Sequence, residues 1–182
     1  MASVALKIVI ATDAWKPQIN GVVTTLSHVE DYLRAQGCEV RVIHPGDFHT
    51  FALPNYKEIC VAWNVWKFAE IFESFKPDCV HIATEGPIGL AARRYLTKRG
   101  LPFTTSLHTK FPEYVNQRIG MPVSWGYAFL RWFHEPSKAT LVTTESMRDE
   151  LTARGLKDLV VWTRGVDTQL FSPERGDISR EG

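Results

Sequence analysis

The sequence predicts an α/β domain: a parallel sheet of about seven strands with helices on both faces. Three observations carry this. Short apolar runs such as Ile8-Val9-Ile10-Ala11 lack polar alternation, as strands buried on both faces do. Stretches with helical spacing, such as Val22, Leu26, Val29 and Leu33, separate those runs. Glycine or proline stands at the junctions, at Gly37, Pro45-Gly46, Pro77, Gly100 and Gly155. Strict alternation of strand and helix is the pattern of a sheet wound in both directions.

The elements follow in order. Residues 5–12 form the first strand and 21–36 the first helix, with Gly37 just past its end. Residues 39–43 are the second strand, which stops at His44-Pro45-Gly46. A short third strand falls near Ile59-Cys60-Val61, and 65–75 is helical up to Pro77. Residues 79–83 are a strand, 87–99 a helix closing on Gly100, and 103–107 a strand. A long connection, His108 to Met121, leads to a helix from Pro122 to His134. There Trp125, Phe129, Trp132 and Phe133 are expected to share one face, with Tyr127 and Arg131 elsewhere. That helix reads as core, or as an aromatic face toward an interface or a lipid acceptor. Residues 140–143 are a strand, Ser146 with Asp149 caps a short helix closed by Gly155, and 159–162 are the last strand. Residues 1–171 thus form one domain. The polar tail 172–182 has no periodicity and reads as disordered or as the start of a linker.

Composition narrows the functional classes. The 182 residues carry a net charge of +1, so nothing points to nucleic acid or a polybasic membrane patch. Cys38, Cys60 and Cys79 are odd in number, widely spaced and flanked by apolar residues. They read as buried, reduced thiols of a cytoplasmic protein, with no metal spacing and no disulfide framework. No apolar run approaches a membrane span, and the N-terminus lacks the features of a signal peptide.

In such a sheet ligands bind outside the carboxyl ends of the strands, so the residues after each strand matter most. Asp13 begins the first such loop, which ends in Asn20-Gly21 at a helix start. A helix N-terminus presents unpaired N–H groups and a positive dipole end, and Gly21 leaves room for an anion such as a diphosphate. The same residues fit a plain capped helix start. The loop lacks the three glycines of a dinucleotide fingerprint and the Gly-Lys-Ser/Thr of a P-loop. Thr84-Glu85-Gly86-Pro87 follows a later strand. Glu85 could bond sugar hydroxyls and Gly86 admits close backbone approach, or the two form a simple turn at a helix start. His108 leaves its strand at the same edge and is placed to donate to a substrate hydroxyl, or else caps a loop. No second histidine or cysteine stands at metal spacing, so no metal site is expected.

Four segments in order resemble the N-terminal half of glycosyltransferases with the two-domain GT-B fold, family 4. They are Asp13-x-x-x-Pro17-x-x-x-Gly21-Val22; Pro77-Asp78-Cys79-Val80-His81-Ile82 with Thr84-Glu85-Gly86-Pro87; His108-Thr109-x-Phe111-Pro112-x-Tyr114; and Arg164-Gly165-Val166-Asp167 with Phe171. The nearest resemblance is to GDP-mannose-dependent α-mannosyltransferases and to enzymes that glycosylate diacylglycerol lipids. It implies a Rossmann-like domain and a retaining transfer without a metal or cofactor. The donor would be a nucleotide sugar, with GDP-mannose the first candidate, and the acceptor a lipid or saccharide. His108 would contact the donor sugar as the catalytic residue. Gly21 would meet the diphosphate. Asp13, Glu85, Gly86, Thr109 and Tyr114 would line the substrate cleft, and Arg164-Gly165 would be the hinge. The further partners implied are a C-terminal donor-binding domain and peripheral contact with the inner face of a membrane. On this reading the chain is an N-terminal domain or fragment, inactive by itself. Two other readings stay open: a non-enzymatic module binding a phosphorylated small molecule or a partner, and half of a sugar-nucleotide epimerase.

Overall fold

A computed structural model describes residues 5–53, 56–108 and 122–163. The chain runs β1 (Lys7–Ala11), α1 (Gly21–Ala35), β2 (Glu39–Ile43), β3 (Thr50–Leu53), β4 (Tyr56–Ala62), α2 (Phe68–Phe75), β5 (Cys79–Ile82), α3 (Pro87–Arg99), β6 (Thr104–Leu107), α4 (Val123–His134), β7 (Thr140–Val142), α5 (Glu145–Ala153) and β8 (Leu159–Val161). Six strands form one parallel sheet in the order β2-β1-β5-β6-β7-β8.

This order fixes which face each helix covers. The chain steps one way from β1 to β2, then crosses back to β5 and continues outward to β8. Right-handed crossovers put the helix of the first step on one face and the later helices on the other. Accordingly Leu26 of α1 packs on Ile10, Val40 and Val42. The alternate residues Val9, Ala11, Ile43, Val80 and Ile82 meet α2, α3 and Phe133 of α4. Leu107 and Val142 continue that second face and meet Met147 and Leu151 of α5. Among the described residues α1 is the sole helix on its face. The winding reverses between β1 and β5, the position at whose carboxyl ends ligands bind in sheets of this kind.

The sequence reading needs four corrections. Among the described residues the sheet has six strands where about seven are expected, because the strand expected near residues 59–61 is β4, which pairs antiparallel with β3 in a separate hairpin. Only two residues join β3 to β4, too few for a parallel crossover. The cap of α5 is Thr144, with extended backbone and its hydroxyl accepting from the Met147 N–H, and not Ser146. In α4 the buried residues are Gly126, Tyr127, Leu130, Phe133 and His134, while Trp125 and Trp132 are exposed. The Arg93 guanidinium stacks 3.8 Å from the Trp132 ring and donates to the Phe133 carbonyl at the end of the helix. Last, Cys79 is exposed at the start of β5, and Cys38 and Cys60 are half-buried.

Asn20 starts α1. Its side-chain oxygen accepts from the Val22 and Val23 N–H groups, each at 3.0 Å. Asn20→Ala is expected to cost about 1 kcal/mol in chemical unfolding, and Asn20→Asp to cost much less, since it keeps the acceptor. Equal losses in both variants would assign the cap another role.

Candidate functional site

Asp13 lies at the reversal point, directly beyond β1. Its N–H donates to the Thr84 hydroxyl at 2.7 Å, and that hydroxyl donates back to Asp13 Oδ2 at 2.8 Å. Asp13 Oδ1 accepts from the Ile88 N–H at 2.8 Å and Oδ2 from the Gly89 N–H at 3.2 Å. A carboxylate from one strand thus occupies the N-terminus of α3, where unpaired N–H groups and the helix dipole favour negative charge. Burial pushes the Asp13 carboxyl above its usual range, against the hydrogen bonds from Ile88, Thr84 and Gly89. The group that closely approaches Gly86 is this same carboxylate. A Cβ at Gly86 would stand 2.4 Å from Asp13 Cγ. A Cβ at Gly89 would stand 1.9 Å from the Thr84 carbonyl oxygen. Gly86 is therefore demanded by the contact between the two loops, and Gly89 by the packing of α3 on the loop that precedes it.

The N-terminus of α1 opens at the same edge. Gly21 is its first residue and is exposed, and the neutral Asn20 amide holds the N–H groups that follow. Ile19 beside it is 99% exposed. His44 after β2 accepts from the Gly46 N–H through Nδ1 at 3.2 Å. Its ring lies 6.0 Å from that of buried Trp15.

The central strand β6 carries Thr104, Thr105 and Ser106 where an apolar run would be usual. Buried hydroxyls need partners, and two histidines supply them on opposite faces. On the α1 face His81 reaches Thr104 Oγ1 through Nδ1 at 2.9 Å and Ser106 Oγ through Nε2 at 3.1 Å. Ser106 Oγ is also 2.9 Å from Nε2 of His108, the half-buried residue at the carboxyl end of β6. Burial, aided by the nearby His108, pushes the pKa of His81 down to about 4, so its ring is neutral at pH 7. On the other face buried His134 reaches Thr105 Oγ1 through Nδ1 at 2.8 Å. His134 Nε2 lies 3.4 Å from Glu85 Oε1, within ion-pair range but long for a well-formed hydrogen bond. Glu85 is thus turned toward the end of α4.

The structure therefore joins Asp13, Thr84 and Gly86 in one contact, places Glu85 beside His134, and sets His108 at the carboxyl edge of β6. Thr109, Tyr114, Arg164 and Gly165 lie outside the described residues, as does the tail 172–182. The sequence reading gave no role to His81, Ser106 or His134. Their signals are a histidine inside a strand buried on both faces, and the spacing of two that puts Ser106 and His108 on one side of β6. Among the described residues no cluster of three or more His, Cys, Asp or Glu side chains could hold a metal ion. No helix among them is long and apolar enough to cross a membrane.

A doubly wound sheet with polar loops gathered at its reversal point defines a Rossmann-like α/β domain. Residues 19–170 match glycosyltransferase family 4, and the chain belongs to that family. It is similar to a GDP-mannose-dependent alpha-mannosyltransferase of Mycobacterium tuberculosis, 25% identical over 96% of this chain and 52% of the relative. A protein of the same name in Corynebacterium glutamicum is 22% identical over 96% of this chain and 46% of its own length. An alpha-monoglucosyldiacylglycerol synthase of Acholeplasma laidlawii is 30% identical over 61% of this chain and 32% of its own. The chain spans about half the length of the mannosyltransferases it matches.

Proposed function

We propose that this chain is the acceptor-side half of a retaining, metal-independent glycosyltransferase without a cofactor. The enzyme moves a hexose from a nucleotide sugar, first candidate GDP-mannose, to a lipid or saccharide acceptor. The reading rests on one juxtaposition in a family 4 chain: the exposed Gly21 end of α1 and His108 open at the same carboxyl edge of the sheet. The two helix N-termini at the reversal point differ. That of α3 already holds the Asp13 carboxylate, whereas that of α1 carries a neutral cap. The diphosphate of the donor therefore belongs at Gly21, next to the α1 dipole. His108 contacts the donor sugar, and Thr109 and Tyr114 line the cleft. Arg164-Gly165 leads to a second domain that supplies the nucleotide pocket, and closure of the two excludes water. A cytoplasmic enzyme resting against a membrane fits a lipid acceptor.

The test is transfer from GDP-mannose by the complete polypeptide that carries this chain, measured against lipid and saccharide acceptors. His108→Ala is expected to lower turnover by about a hundredfold, the scale of one positioned polar group, with little change in unfolding midpoint. Normal turnover in that variant would remove His108 from the reaction. Absence of transfer from every nucleotide sugar tried would remove the reaction itself.

A further inference from the structure

We propose that Thr104, His81 and Ser106 fix the tautomer of His108, with its ring proton on Nδ1, so that His81 is a positioning residue acting through Ser106. The four side chains form an unbroken polar chain across β5 and β6. Thr104 Oγ1 is 2.9 Å from His81 Nδ1, His81 Nε2 is 3.1 Å from Ser106 Oγ, and Ser106 Oγ is 2.9 Å from His108 Nε2.

A hydroxyl carries one proton and a neutral imidazole one N–H, so the chain must run in a definite direction. The Thr104 hydroxyl has two acceptors in reach: His81 Nδ1 at 2.9 Å and the Val80 carbonyl oxygen at 3.5 Å. The Ser106 hydroxyl also has two: His108 Nε2 at 2.9 Å and the Ala83 carbonyl oxygen at 3.3 Å. Hydrogen bonds between such groups are strongest near 2.8 Å, so each proton goes to its shorter contact. His81 then accepts at Nδ1, carries its own proton on Nε2 and donates it to Ser106. Ser106 donates to His108 Nε2. His108 is left with its proton on Nδ1. Burial keeps His81 neutral, which supplies the one N–H and one lone pair that this direction requires.

The consequence is that the His108 ring proton sits on Nδ1, an atom the chain itself buries, and it serves as a donor to a hydroxyl or phosphate oxygen once that atom is uncovered. That use rests on the proposed transfer reaction; the tautomer does not. Long-range 1H–15N correlation spectra of the 15N-labelled chain near pH 7.5 read it without any substrate, with His108→Gln assigning the His108 signals. His108 is expected to be protonated at Nδ1 and His81 at Nε2. Each should exceed the opposite tautomer by about tenfold, the weight of one net hydrogen bond. Ser106→Ala should erase the His108 preference. His81→Phe should weaken it, and His81→Gln, whose amide can donate to Ser106, should restore it. His108 protonated at Nε2 in the unsubstituted chain overturns the proposal, as does an unchanged His108 tautomer in both Ser106→Ala and His81→Phe. The unsubstituted chain decides first, so a variant that fails to fold leaves the test intact. The Nδ1 tautomer seen in a protein that transfers no sugar would sink the reaction and leave the positioning role standing.

Discussion

Asp13→Ala is expected to lower the unfolding free energy by about 4 kcal/mol, within the range for removing one partner from a buried charged contact. The side chain accepts from the Ile88 and Gly89 N–H groups and from the Thr84 hydroxyl. Its loss strands two backbone donors in the first turn of α3 and separates the loops after β1 and β5. Asp13→Asn should fall between, since it keeps one acceptor oxygen and loses the charge. Gly86→Ala should act through the same contact, because its Cβ would displace the carboxylate that lies 2.4 Å away. The two substitutions must then be strongly non-additive: once Asp13 is Ala, Gly86→Ala should add little. Chemical denaturation of the two single variants and the double variant measures this. Additive losses would mean that the carboxylate and Gly86 act independently, and a loss under 1 kcal/mol in Asp13→Ala would leave α3 supported by other contacts.

That contact also shows where sequence reasoning stops. The apolar runs of β1, β2 and β5 and the periodicity of α1 are local, so their existence and nearly their bounds are legible. Glycine at the helix ends is legible for the same reason: Gly100 adopts the left-handed conformation, φ +64°, just past α3. Asp13 could be placed after a strand and at the carboxyl edge. Its seat on α3 depends on β1 pairing with β5 across 71 residues, which no local pattern states. The β3–β4 hairpin is not legible locally because Thr50-Phe51-Ala52-Leu53 is short and mixed in character. In β6 the Thr-Thr-Ser run reads as a poor buried strand until His81 and His134 are seen to satisfy it from both faces. His108 could be read because its position depends only on the end of one strand. The network behind it could not, since it joins side chains of β5 and β6 that lie 25 residues apart in sequence.

Acid should destabilise the chain through that network. His81 is held near a pKa of about 4 by burial, against an ordinary value of 6.5 in the unfolded chain. Between those values the unfolded state binds a proton that the folded state refuses. Stability from this group is therefore complete above pH 6.5 and is lost as pH falls toward 4. The gap is worth about 3 kcal/mol over the whole window. His44, lowered by its own burial, adds a loss of the same sign. Asp13, whose carboxyl is raised, acts with the opposite sign. A variant separates His81 from both. His81→Gln keeps a polar partner for Thr104 and Ser106 but has nothing to titrate. Its unfolding free energy should be flatter between pH 7 and 4.5, a range over which the unsubstituted chain loses most of the ~3 kcal/mol and the variant does not. Urea unfolding of both proteins across that range is the measurement. Parallel curves would mean that His81 binds its proton equally in the folded and unfolded chain, and that the acid sensitivity lies with other groups.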